Sequence, residues 1–216
     1  MIAGIRLKVC GITSLADAEF AGQCGADFLG FILHPKSPRH ISLAQFSAMV
    51  TRLPAQRKVA VFVLPSTADL AVAAANGFDF FQVHFPADTP SGVVGSWAES
   101  VGAERLWLAP KLPPTEDVNA GWLPFTSHLL LDTFQAEGFG GSGRTGDWSK
   151  FARHHQRYPA KSWILAGGLN PENIASAVTQ SGARFVDVNS GVESAPGIKD
   201  LAKLRRFVAN LSVHRE

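Results

Sequence analysis

Cysteine is scarce in this sequence. Only Cys10 and Cys24 occur among 216 residues, and they form no Cys-x-x-Cys pair. A disulfide framework is therefore not expected, and a reducing cytoplasm is the expected compartment. An excess of one charge is also missing. The formal net charge is +2, with no basic tail and no charged block, so nothing marks the chain for nucleic acid or a membrane surface. Long hydrophobic runs are absent too. The longest strongly apolar stretch, Val59 to Leu64, is far short of the roughly 20 residues that a spanning helix needs. The opening residues MIAGIRLKV lack the apolar core and cleavage site of a signal peptide. The expected partner is a small molecule, and a monomer or a homodimer are both open.

What is present is an ordinary globular composition, 46% hydrophobic and 18% charged, enough for a well-buried core. A short motif also repeats. CGADFLGF, NGFDFFQV, VGAERLWL and SGARFVDV each place a glycine two residues before an apolar run. Glycine there suits a helix C-cap, because it enters the left-handed conformation cheaply. Gly25, Gly77, Gly102 and Gly182 are separated by 52, 25 and 80 residues, close to two, one and three units of about 26 residues, the size of one strand and one helix. About eight such units fill the chain.

Strands are expected near Arg6–Cys10, Phe28–Phe31, Lys58–Phe62, Phe80–Val83, Arg105–Ala109, His128–Asp132, Ser162–Ala166 and Phe185–Asn189. Ser14 with Asp17 reads as a capping box, Ser66 or Thr67 as a cap, and Asn170 with Pro171 as a helix start. The segment from Pro110 to Pro124 is poorly written as a helix. No linker divides residues 1–216, so one domain is expected. Eight alternating units favour an α/β fold of the closed (β/α)8 barrel type over an open sheet. Alternation on the first and eighth strands turns Lys8 and Asp187 inward on neighbouring strands, where they should pair.

In such a barrel, chemistry gathers at the C-terminal ends of the strands. Those ends carry Cys10, the loop LHPKSPRH with Arg39, His84, Asp132, Gly167–Gly168 and Ser190–Gly191. The last two pairs suit a phosphate, since glycine lets backbone N–H groups approach an anion closely. An arginine at the mouth suits a carboxylate. A partly desolvated Asp132 can serve as a general acid or simply cap a loop. Gly138–Thr145 nearly spells a phosphate-binding P-loop but has Arg144 in place of its lysine and starts late after its strand. A glycine-rich lid is the better reading. The histidines lack ligand spacing, so no metal site is expected.

Together KVCGIT, GADFLGFILHPKSPRHIS, QVH, LLLDT, GGSGRTGDW, AGGLNPENI and VDVNSGVESAPGIKD resemble the phosphoribosylanthranilate isomerases of tryptophan biosynthesis, in order and over nearly the whole chain. The resemblance implies a (β/α)8 barrel and a cofactor-free Amadori rearrangement. The substrate implied is N-(5-phosphoribosyl)anthranilate and the product 1-(2-carboxyphenylamino)-1-deoxyribulose 5-phosphate. By the same resemblance Cys10 matches the general base, Asp132 the general acid and Arg39 the contact to the anthranilate carboxylate. Gly167, Gly168, Ser190 and Gly191 match the phosphate loops, and His84, Gly141 and Asp187 join the substrate-binding set. Four features depart from the family pattern: Phe85 for a glycine, Arg144 for a lysine, Asn189 for a serine, and an unusual fifth strand and following loop.

The chemistry needs one acid and one base. A thiol, with a pKa of about 8.5, becomes a competent base if a nearby basic group depresses it modestly. Three other functions are weighed against this. The histidine-pathway isomerase would need phosphate sites at both ends of its substrate, and typically aspartates in both roles. A silent phosphosugar-binding protein would need neither Cys10 nor Asp132. A P-loop enzyme would bind nucleotide and magnesium.

Overall fold

The computed structural model describes residues 1–132 and 147–212. The glycine-rich stretch from Gly138 to Gly146, including Gly141 and Arg144, lies outside them. Strands β1 (Arg6–Val9), β2 (Phe28–Ile32), β3 (Arg57–Val63), β4 (Phe80–Pro86), β5 (Leu106–Lys111), β6 (His128–Leu131), β7 (Ser162–Leu165) and β8 (Phe185–Val188) pair in chain order. All pairs are parallel, and β8 returns to β1, closing a (β/α)8 barrel. The register sets Lys8 opposite Asp187.

Helices α1 (Leu15–Gln23), α2 (Leu43–Met49), α3 (Thr67–Ala75), α4 (Ser91–Val101), α5 (Trp148–Arg157), α6 (Ile174–Ser181) and α7 (Leu201–Ser212) surround it. Serine caps begin several of them. The Ser66 hydroxyl accepts from Asp69 N while the Asp69 carboxylate accepts from Ser66 N, a reciprocal box that fixes the start of α3. The box expected at Ser14 is only half made. Ser14 accepts from Asp17 N, but the Asp17 carboxylate turns instead toward the backbone N–H of Lys199. The helix expected from Asn170 starts later. Asn170 caps a turn by accepting from Glu172 N and Asn173 N, and α6 begins at Ile174. Pro171 therefore sits in that turn, where its missing N–H is harmless.

Strand alternation divides the core in two. One set of buried residues, including Leu7, Val9, Leu29, Phe31, Phe81, Leu108, Leu129, Leu165 and Val186, packs outward under the helices. A separate, smaller set fills the barrel: Cys10, Phe28, Val59, Val61, Trp107, Ala109, Leu130, Ile164, Ala166 and Phe185. At the start of the strands the inner set is aromatic. Phe28 stacks on Phe185 with centroids 5.0 Å apart and meets Trp107 edge-on at 5.2 Å. Phe80 and His128 complete this floor around Trp107, each at 5.2 Å.

The weak fifth helix of the sequence is a 3-10 helix, Ala120–Phe125. Its Trp122 is fully buried and meets Phe85 edge-on, with centroids 5.1 Å apart. Phe85 points outward from β4 and also packs on Trp97 of α4. A large ring on β4 thus fills the space where a short 3-10 turn covers the barrel. Neither residue lines the central cavity.

Candidate active site

A cavity of about 500 Å³ opens at the C-terminal end of the barrel. Cys10, Arg39, His84, Asp132, Gly167, Gly168, Asp187 and Ser190 all line it, as do Gln82 and Asn189. Residues from the first, second, fourth, sixth, seventh and eighth units are thereby brought together. Gly191 stands behind the wall. A β-carbon there would lie 2.0 Å from the Leu169 carbonyl oxygen, so only glycine lets the loops after β7 and β8 touch. On the β7 side, Gly167 and Gly168 have φ of +89° and +62°, a backbone region that glycine enters without strain. The Gly168 carbonyl accepts from Asn173 Nδ2 at 2.9 Å, which fixes that turn against the start of α6.

Beneath the cavity, Lys8 Nζ donates to Asp187 Oδ2 at 2.7 Å, the pairing that strand alternation predicts. Lys8 has no solvent exposure. Burial disfavours its charge, yet Asp187 and the Cys10 sulfur hold its pKa above the ordinary lysine value. Room for the lysine stem comes from β2. A β-carbon on Gly30 would lie 2.8 Å from both Cys10 Sγ and Lys8 Cε. Nothing in the local sequence marks Gly30 as special, because its role depends on what the neighbouring strand presents. The glycine after Cys10 has a similar reason. Gly11 has φ of +70°, and a β-carbon there would meet Asn189 Oδ1 at 2.5 Å and Arg39 Cδ at 2.8 Å.

Cys10 does not behave as the sequence suggests. A basic neighbour is present, since Lys8 hydrogen-bonds the sulfur and Lys199 adds its charge. Burial nevertheless dominates and pushes the thiol above its ordinary value. The expected depression is overturned because the sequence reveals the lysine but not the depth. His84 is only partly shielded by its immediate neighbours, but it stands deep in the barrel mouth. Dehydration, then the Lys8 charge, bring its imidazole down to about 3, so the ring is neutral at pH 7. Gln82 Nε2 lies 2.8 Å from His84 Nε2. Asp187 Oδ1 and Gln82 Oε1 are buried without a protein partner among the described residues. Two acceptors left open beside a cavity suit the hydroxyl groups of a ligand.

Arg39 is placed by its loop and by a carboxylate that the sequence does not announce. Ile41 N donates to Ile32 O at 3.0 Å, so the loop leaves β2 and returns to its end. The guanidinium binds Glu193 side-on. Nε donates to Oε1 and Oε2 at 2.9 and 3.0 Å, and Nη2 to Oε2 at 2.7 Å. Glu193 also accepts from Lys199 Nζ at 3.0 Å. Lys199 further donates to Asn189 Oδ1 at 3.0 Å, which gives the asparagine at this position a structural task. No group of three or more His, Cys, Asp or Glu is placed to hold a metal ion among the described residues, and no helix there is long and apolar enough to cross a membrane.

Fold and cavity define a (β/α)8-barrel enzyme whose polar groups converge at the strand ends. Residues 7–210 match the family model described as N-(5'phosphoribosyl)anthranilate (PRA) isomerase. A relative of that name from Acinetobacter calcoaceticus is 36% identical over 210 residues, covering 94% of each chain. Among solved structures, a phosphoribosyl anthranilate isomerase in complex with reduced 1-(o-carboxyphenylamino)-1-deoxyribulose 5-phosphate is 33% identical. Its TM-score is 0.79, with 97% of this chain and 99% of that one covered. Another, described as mutually generated monomers of the dimeric isomerase from Thermotoga maritima, is 33% identical with a TM-score of 0.78, covering 96% and 98%. The chain belongs to the N-(5'-phosphoribosyl)anthranilate isomerase family, and it is an isomerase of tryptophan biosynthesis.

Proposed function

We propose that the enzyme converts N-(5-phosphoribosyl)anthranilate to 1-(2-carboxyphenylamino)-1-deoxyribulose 5-phosphate, with Asp132 as general acid and Cys10 as general base. The observation that carries this reading is that Cys10 and Asp132, at the ends of β1 and β6, line one cavity together with the Gly167–Gly168 turn and Ser190. Asp132 protonates the ribose ring oxygen. The C1–O bond breaks, and the nitrogen lone pair forms a protonated Schiff base. The Cys10 thiolate removes the C2 proton, and the released electron pair neutralises the nitrogen to give an enolamine. C1 then gains a proton as the C2 hydroxyl loses one, leaving the ketone.

The remaining residues position the substrate. The phosphate sits on the backbone of the loops at Gly167–Gly168 and Ser190, with Gly191 keeping those loops together. The open acceptors of Asp187 and Gln82 take ribose hydroxyls. His84, neutral at pH 7, offers a hydrogen bond without adding charge near the developing Schiff base. Arg39 holds the anthranilate carboxylate.

The decisive experiment is conversion of synthesised N-(5-phosphoribosyl)anthranilate by the purified protein, followed by its fluorescence, alongside rescue of an isomerase-deficient tryptophan auxotroph supplied with anthranilate. No turnover and no rescue would end the reading. Because burial raises the thiol and a base must be ionised, kcat/KM is expected to climb with pH through the ordinary thiol range, about 8.5, and beyond. A profile flat from pH 7 to 10 would remove Cys10 as the base. Gly168→Asp is expected to raise KM by adding bulk and negative charge at the phosphate.

A further inference from the structure

The loop after β8 carries a short antiparallel hairpin, β9 (Glu193–Ala195) with β10 (Ile198–Lys199). Its charged residues are too well buried for ordinary surface turn residues: Glu193 is 6% and Lys199 4% exposed. The hairpin is anchored from several sides. Thr13 Oγ1 donates to Gly197 O at 2.6 Å, Gly197 N donates to Glu193 Oε1 at 3.2 Å, and Lys203 Nζ donates to Glu193 O at 2.7 Å. The Glu193 carboxylate is therefore held in place whether or not Arg39 is present.

That carboxylate occupies the Nε–Nη2 edge of Arg39. A guanidinium has five N–H donors in a fixed plane. With the side edge taken, Nη1 and the outer N–H of Nη2 remain as a fork for a second carboxylate, on a residue that lines the cavity. Charge points the same way. Two basic side chains, Arg39 and Lys199, share the single carboxylate of Glu193, so the cluster is short of one anion. Glu193 and Lys199 are buried while Arg39 opens onto the cavity, so a second carboxylate arriving from that side would offset the charge that Glu193 leaves.

We propose that Glu193 is a positioning residue that fixes the plane of Arg39 and, with Lys199, makes the ring carboxylate of the substrate the missing anion of this cluster. Selectivity for a 2-carboxylated N-aryl sugar phosphate over an uncarboxylated one is then set by the hairpin as much as by the arginine. The inference rests on the reading that Arg39 meets the anthranilate carboxylate.

The test uses two inhibitors: reduced 1-(2-carboxyphenylamino)-1-deoxyribulose 5-phosphate and its counterpart without the ring carboxylate. The wild-type enzyme is expected to favour the carboxylated compound by about tenfold or more, the worth of a charge-assisted hydrogen bond. Glu193→Gln keeps the shape but not the charge. It is expected to lose most of that preference while its affinity for the uncarboxylated compound stays unchanged. Adding Arg39→Lys to Glu193→Gln should reduce the preference little further, because the two residues act as one unit. Should Glu193→Gln fold poorly, Glu193→Asp retains the charge but withdraws it by one methylene, and a partial loss of preference is expected. Equal weakening of both inhibitors, or an intact preference, would make Glu193 a structural residue only and overturn the proposal. Absence of any preference in the wild type would overturn the Arg39 reading itself, so the two failures are distinguishable.

Discussion

The floor and the mouth of the barrel interior are built from the same strands, in several cases only two residues apart, yet they obey different rules. Phe28, Phe80, Trp107 and Phe185 fill the floor with rings at 5.0 to 5.7 Å. One step up, Gly30 follows Phe28, Gln82 follows Phe80, and Asp187 follows Phe185. The floor is held by area and shape, with little in it that titrates near pH 7. The mouth is held by charges that need each other. Burial opposes both charges of its ion pair and raises the Asp187 carboxyl above its ordinary value, so each partner is needed to keep the other from standing alone.

Separating the two halves by mutation should give the largest effects. Cys10→Ser and Asp132→Asn are each expected to lower turnover about 10²–10⁴-fold, the usual worth of a positioned acid or base, with unchanged urea unfolding. Trp107→Ala should do the opposite, removing about 3–5 kcal/mol of stability while folded enzyme at low temperature keeps its KM. If Trp107→Ala destroys turnover in protein shown to be folded, floor and mouth are not separable.

Next in size is the buried pair. Asp187→Leu leaves Lys8 charged with only the Cys10 sulfur as partner, and should cost about 3–5 kcal/mol in urea unfolding. Adding Lys8→Met should restore most of this stability without restoring activity. Equal stability of the single and double variants would mean that the lysine is not charged. Gly30→Ala falls between the regions. Its methyl group would crowd Cys10 and Lys8, and overpacking of this kind costs about 1–3 kcal/mol. Here stability and turnover should both fall, unlike any change in the floor alone.

The smallest effect is shared by both halves. His84 in the mouth and His128 in the floor are held to about 3 and about 4, chiefly by burial. Both folded values lie below the unfolded value of about 6.5. The unfolded chain therefore binds more protons, and stability present above pH 6.5 is lost as pH falls toward the folded values. Each histidine contributes at most about 1.4 kcal/mol per pH unit, less where the cavity admits water. Comparing unfolding midpoints at pH 7 and pH 5 for wild type, His84→Gln and His128→Phe would measure each share. Variants as acid-sensitive as wild type would contradict the assignment.

This contrast also explains what the sequence makes legible. Strands could be located from apolar runs and their glycine caps, and the Lys8–Asp187 pair from alternation on two strands that must be neighbours in a closed barrel. Both rest on local periodicity plus topology. The tie between Glu193 and Arg39 was not legible, since a hairpin in a long loop has no period to read. Nor was the direction of the Cys10 shift, which depends on the depth of the thiol in the barrel. Phe85 and the segment before Pro124 stand out as separate oddities in the sequence, and only packing shows that Trp122 joins them. Gly141 falls outside the described residues, so its placement at the substrate stays an expectation.

The contacts that build the mouth also fix when it can exist. Lys8 and Asp187 are 179 positions apart, and Arg39 and Glu193 are 154 apart. During synthesis the first strand leaves the ribosome with a lysine whose counter-charge has not yet been made. The hairpin that steadies Arg39 is made later still. Long-range closures of this kind are entropically slow and come after local structure. A nascent or half-folded chain can therefore hold helices and several paired strands while having no working pocket. Activity requires that ring closure, so turnover reports whether the two ends of the chain have met.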